Sequence, residues 1–116
     1  MKFYHGDKTA FENGECVQVL HVGSSEVFVL QDDEELSLST LCFENVTEVS
    51  RAITPHQLRE SCCGYKTGAI LWLPSLGGAV RILAIGRDSF FWEKIRRLNQ
   101  EHITEGVSSV TLLEGK

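Results

Sequence analysis

"DSFFWEKIRRLNQEH", Asp88 to His102, is the stretch on which the fold turns. Taken at helical spacing, Phe91, Ile95, Leu98 and His102 share one stripe, and Asp88 or Ser89 stands where an N-cap belongs. The pattern predicts an amphipathic helix laid against a sheet. Phe90 and Trp92 then lie about a quarter-turn to either side of the stripe. Arg96 flanks Trp92, while Lys94 and Arg97 flank Phe90. Aromatic residues beside arginines on a helix rim are the composition favoured at protein interfaces. Phe90, Trp92, Lys94, Arg96 and Arg97 are therefore candidates for contact with a partner protein or with a second copy in a homodimer. The competing expectation is a wide groove over the sheet that buries all three aromatics.

Working upstream, Thr54 and Gln57 form a capping box and Pro55 takes the first helical position. A shorter helix is expected from Pro55 to Cys62 or Cys63, stopped by Gly64. Between the two helices lies "GAILWLPSLGGAVRILAIG", Gly68 to Gly86, which holds one charge, Arg81. It is nearly long enough to cross a membrane. Pro74 and Gly77-Gly78 break its middle, and a buried arginine costs about 2.5–3.5 kcal/mol on insertion scales. Two buried strands joined by a Pro-Ser-Leu-Gly-Gly turn fit it better. Downstream, "GVSSVTLLEG", Gly106 to Gly115, reads as a final strand.

The first half reads as β. "ECVQVLHV" (Glu15 to Val22) and "EVFVLQ" (Glu26 to Gln31) flank Gly23-Ser24-Ser25, a hairpin signal. With Ser24-Ser25 as the turn, Val22 faces Val27 and Leu20 faces Val29, while His21 meets Phe28 and Val19 meets Leu30. Apolar residues on both sides mean that both faces are covered near the turn. "ELSLSTLCF" (Glu35 to Phe43) puts Leu36 and Leu38 inward, and "NVTEVS" (Asn45 to Ser50) is a shorter strand. A further short strand could occupy Lys2 to His5. "FENGECVQVLHVGSSEVFVL" has the glycine-then-alternating-strand pattern common at the start of small SH3-like barrels, a pattern too generic to assign a family. No internal repeat, linker or low-complexity segment is visible. The expected fold is α+β: one domain over 1–116, with a mainly antiparallel curved sheet or partial barrel and two helices, in the order ββββ-α-ββ-α-β.

Composition bounds the function classes. The chain has 116 residues, 42% hydrophobic and 23% charged, enough for a core without staples. A net charge of -5 speaks for solubility and against general nucleic-acid binding, although Arg81, Arg87, Lys94, Arg96 and Arg97 could form a local basic patch. Cys16, Cys42, Cys62 and Cys63 are even in number, but the last two are neighbours and no apolar leader precedes them. Reduced thiols in a cytoplasm, with no membrane contact, are the expectation.

No complete catalytic motif is present. Gly64-Tyr65-Lys66-Thr67-Gly68 resembles a phosphate loop but lacks the upstream glycine and precedes a strand rather than a helix. Cys62 and Cys63 sit at the predicted helix C-terminus, where the dipole disfavours a thiolate. No C-x2-C or H-x3-H pair offers zinc two ligands on one turn, so neither metal nor cofactor is expected. His5, His21, His56 and His102 are scattered, with His102 at the edge of the helical stripe. The carboxylates Asp32, Asp33, Glu34 and Glu35 share one turn, where repulsion and solvent keep them exposed. The best-supported expectation is a non-enzymatic binding or regulatory domain acting through protein contacts. The alternative is a small-molecule binder or small enzyme whose pocket in the curved sheet is lined by Phe28, Tyr65 and Trp72.

Overall fold

The computed structural model describes residues 2–95 and 102–114, and it corrects the α+β expectation. The protein is mostly β, 54% strand against 9% helix. The strands are β1 (Asp7–Phe11), β2 (Cys16–Val22), β3 (Glu26–Gln31), β4 (Glu34–Ser39), β5 (Val46–Arg51), β6 (Ser61–Cys62), β7 (Tyr65–Lys66), β8 (Ile70–Leu73), β9 (Gly78–Ile85), β10 (Ser89–Lys94) and β11 (Glu105–Ser109). The helical pieces among the described residues are a 3-10 turn at Thr40–Asn45 and α1, the single turn Thr111–Glu114. A five-stranded antiparallel sheet runs β4-β3-β2-β1-β5, a four-stranded one runs β11-β10-β9-β8, and β6 and β7 form a small hairpin. The expected strand at Lys2 to His5 is absent, and β1 lies just beyond it.

Both expected helices fail for identifiable reasons. Ser89–Lys94 is a strand whose first four residues are all buried. Phe90 and Trp92 point into one core while Phe91 points into another. A strand covered on both faces shows a continuous apolar run, which periodicity alone cannot tell from a helix segment, and Phe and Trp suit the strand. His102 is exposed in a bend, and Leu98 lies outside the described residues. The Thr54–Cys63 segment stays extended because tertiary partners take its polar groups. The His56 backbone N–H donates to Gln18 Oε1 at 2.8 Å, and Arg59 bridges to Ile85. A helix from Pro55 to Cys62 or Cys63, eight or nine residues, has little intrinsic stability to set against those bonds. Cys63 and Gly64, with φ of 55° and 87°, form the two-residue turn of the β6–β7 hairpin instead.

Two halves of the chain repeat one pattern. Val22, His21, Val19 and Gln18 pair with Val27, Phe28, Val29 and Leu30, with a bulge at Leu20. At an offset of 63 (Ile82 against Val19), Ile85, Ala84, Ile82 and Arg81 pair with Phe90, Phe91, Trp92 and Glu93, with the bulge at Leu83. The bulge corrects the expected Leu20–Val29 and Val19–Leu30 pairs; Val22–Val27 and His21–Phe28 stand. The match extends outward. Gly6 and Gly68 donate to the Val19 and Ile82 carbonyls at 2.9 and 2.7 Å. Ser39 and Ser109 each accept from the backbone N–H two residues on, at 3.2 Å, opening the 3-10 turn and α1. These turns drop Phe43 and Leu113 into their respective cores.

The repeats meet at a seam. Phe28 and Phe91, equivalent residues, stack with centroids 5.5 Å apart and planes 3° from parallel. Leu20 and Ala84 complete this third cluster, and β4 and β11 lie across it from each other. Each repeat thus has its own core, and the stacked pair joins them.

Candidate docking edge

The seam fixes the ionisable groups first. Glu35, on β4, reaches into the β9–β10 turn of the other repeat. Its Oε1 accepts from the backbone N–H groups of Asp88 and Ser89 at 2.8 and 3.0 Å and from Ser89 Oγ at 2.9 Å. Its Oε2 accepts from the Arg87 N–H at 2.7 Å and stands 2.6 Å from His56 Nε2. Glu105, on β11, makes the reciprocal contact with the β2–β3 turn. It accepts from the N–H groups of Ser24, Ser25 and Glu26 at 3.0, 2.7 and 2.9 Å. Glu35 and Glu105 occupy matched positions, opposite Leu30 and Glu93 in their sheets. Residue i reaching j' while i' reaches j is the signature of a twofold-like pairing. Gly23 and Gly86 are required beside them, since a Cβ at either would collide with the Glu105 or Glu35 carboxylate.

This corrects the expectation that the whole acidic turn is solvated. Asp32, Asp33 and Glu34 are exposed, but the Glu35 side chain is only 1% exposed. Burial pushes its pKa up. The Arg87 and Asp88 N–H groups, with His56 and Ser89, outweigh that and hold it below the usual carboxylate value. His21, edge-on to Phe91, is held below its ordinary value by burial, against an opposing pull from the Glu105 charge. The carboxylates of Glu35 and Glu105 are thus taken up by backbone N–H groups across the seam.

The other chemistry-bearing residues are likewise settled. The Cys62 thiol, 3.3 Å away, then desolvation, and last the Glu114 carboxylate push the Cys63 thiol up to about 11. A thiol held protonated at neutral pH is a poor nucleophile. All four cysteines are free. Among the described residues no three His, Cys, Asp or Glu side chains converge as a metal site would need. No described helix is long and apolar enough to cross a membrane.

The sequence-derived site residues separate in space. Phe90 is fully buried and Trp92 is 6% exposed, its Nε1 donating to Ser108 Oγ at 2.9 Å, so neither forms a rim. The alkyl chain of Lys94 crosses Gly78. Arg96 and Arg97 lie outside the described residues. Phe28 fills the seam, Tyr65 packs on the core of the second repeat, and Trp72 is 63% exposed. These three line no common pocket. Hollows among the described residues lie elsewhere, for example about 250 Å³ beside Phe11, Leu38 and Cys42, and about 390 Å³ between Pro55, Gln57 and Arg87.

Comparison of the repeats exposes a different feature. In the first, β1 is flanked by β2 and by β5, antiparallel through Lys8–Ser50, Thr9–Val49 and Ala10–Glu48. In the second, β8 is the counterpart of β1, since Ile70 faces Arg81 as Lys8 faces Gln18. Among the described residues nothing occupies the place of β5, and β8 is a sheet edge. Leu71 and Leu73 turn inward to the core, while Ile70 and Trp72 stand outward, 58% and 63% exposed. A bare edge with a large apolar outer face is a template for another strand. Ile70 lay inside a stretch read only as a buried hairpin; the outward side of an I-L-W-L strand was the available signal. Compared with known proteins, the chain matches no family model, no curated protein and no solved structure.

Proposed function

We propose that the protein is a non-enzymatic binding module, acting in a reducing compartment such as the cytoplasm, that takes up an extended strand of a partner polypeptide along β8. The observation that supports this is the difference between the repeats: β1 carries β5, whereas among the described residues its counterpart β8 has no strand on its outer side, beside exposed Ile70 and Trp72. Strand addition supplies affinity from main-chain hydrogen bonds and selectivity from alternate side chains. Trp72 is the natural anchor, a large side chain able to bury against an incoming strand. Four free thiols suit a reducing compartment.

The β5 sequence, Val46 to Arg51, supplies a probe because it already pairs with the equivalent strand. A second copy of it, fused behind residue 116 through a flexible glycine-serine linker, is present at high effective concentration. Tryptophan emission should shift to the blue as Trp72 is covered, since Trp92 is already buried. The amides of Ile70 to Leu73 should gain protection from hydrogen exchange. An unchanged emission maximum and unprotected β8 amides would defeat the strand-docking reading.

A further inference from the structure

We infer that the strand received by β8 is the free edge of β5 in a second copy, so that copies join head to tail. The inference rests on the strand-docking reading of β8 and names its occupant. Among the described residues the two larger sheets end at β4, β5, β8 and β11, and β4 and β11 lie at the seam. The remaining ends of those two sheets are β5 and β8, one on each repeat. Each carries an exposed apolar side chain: Val49 on β5 is 52% exposed, among exposed Thr47, Glu48, Ser50 and Arg51, and Ile70 and Trp72 on β8 are 58% and 63% exposed.

Charge decides between the possible pairings. Residues 1–53 hold ten acidic and three basic side chains, a net of -7, while residues 54–116 hold six acidic and eight basic, a net of +2. Glu44 and Glu48 are exposed at the β5 side, and exposed Lys66 lies just before β8, whose Ile70 faces Arg81 on β9. Joining β8 to β8 would set the basic groups against themselves, and joining β5 to β5 would do the same for the acidic repeats. Joining β5 to β8 sets unlike charges together and continues a five-stranded sheet into a four-stranded one. Because the two surfaces differ, the contact is heterologous, and it propagates into a ring or a filament rather than closing as a dimer.

Val49→Lys blocks the β5 edge and Trp72→Lys blocks the β8 edge. Both side chains are more than half exposed, so circular dichroism and the unfolding midpoint should stay at the wild-type values. In sedimentation velocity, the wild-type chain should form species larger than a dimer as concentration rises, and high salt should dissolve them. Each variant alone should be monomeric. Mixed in equal amounts, they should form a one-to-one dimer and nothing larger, because one retains β5 and the other retains β8. The β5 fusion should also be monomeric, its own added strand having filled β8. A Val49→Lys chain that still dimerises, a mixture that stays monomeric, or a wild-type chain monomeric at every concentration would each overturn the head-to-tail contact. The blue shift of the fusion is independent of those outcomes, so the docking reading can survive the loss of this one.

Discussion

The two repeats hold the same register and the same bulge, yet they are stabilised and finished differently. The first has a fifth strand, an aromatic core in which Phe3 and Phe11 pack against Phe43, and a large excess of acid. The second has an open edge, a core built on Phe90 and Trp92, and a small excess of base. Register and turn geometry are therefore the shared requirement, set by backbone pairing, while core composition and edge protection vary around it. The seam is where the halves depend on each other, and it is the place to break the comparison.

The largest effect is expected from truncating the stacked pair. Phe28→Ala and Phe91→Ala each remove a fully buried ring, a change that costs about 3–5 kcal/mol in a core. Both tryptophans belong to the second repeat. Fluorescence-detected urea unfolding of Phe28→Ala therefore asks whether damage in the first repeat is felt in the second. If residues 1–116 unfold as a unit, both variants lower the fluorescence midpoint alike, and circular dichroism agrees. A normal fluorescence midpoint in Phe28→Ala, with circular dichroism shifted, would show that the repeats unfold separately.

What the sequence made legible follows the range of the forces involved. The β2–β3 hairpin was readable because alternation and Gly23-Ser24-Ser25 are local, and so was the β8–β9 hairpin around Pro74 to Gly78. The bulges at Leu20 and Leu83 were not, since a bulge leaves no residue signature in a uniformly apolar strand. Phe90-Phe91-Trp92 misled because two cores compete for one strand, and Ile95, Leu98 and His102 beyond it continue a helical spacing from Phe91. Thr54, Pro55 and Gln57 form a genuine local helix start, overridden by the bonds His56 makes to Gln18 and Glu35. The repeat is not visible in the sequence because its two copies share a hydrogen-bonding scheme more than residues. Glu35 looked like one of four solvated acids; only the far-off β9–β10 turn gives it a reason to be buried.

The carboxylate locks come next in size. Glu35→Ala and Glu105→Ala each strip three backbone N–H groups of an ionised acceptor, and a loss of roughly 2–4 kcal/mol is expected for either. Glu35→Ala should be the costlier, because His56 also loses its partner. Glu35 also adds a pH dependence. Its folded pKa lies below the ordinary 4.5, so its stabilisation is complete above pH 4.5 and disappears as pH falls through the folded value. Chemical denaturation repeated down the acid range should show that decline in the wild type and a shallower one in Glu35→Ala. Equal slopes would mean that the seam does not titrate through Glu35.

A milder effect separates His21 from its counterpart Ala84. Burial holds the imidazole below 6.5, so the unfolded chain binds the proton more readily than the folded one. The neutral ring is fully compatible with the fold above pH 6.5, and stability falls as pH drops from there through the lowered value. His21→Ala, which makes the first repeat resemble the second, should flatten the stability profile in that window while leaving the decline below pH 4.5 in place. If the profile keeps its slope between those limits, the histidine is not the source.

The smallest change expected is a gain. Thr9 is 1% exposed, and its hydroxyl has no hydrogen-bond partner among the described residues. Its counterpart on β8 is Leu71, which carries no polar group at all. Thr9→Val keeps the branched shape that suits a strand and removes a buried hydroxyl with nothing to bond, so it should stabilise the protein by about 1 kcal/mol. Thermal unfolding should show a small rise in Tm. A fall instead would mean that the hydroxyl is solvated or bonded in solution. The first repeat would then tolerate a polar core position that the second does not.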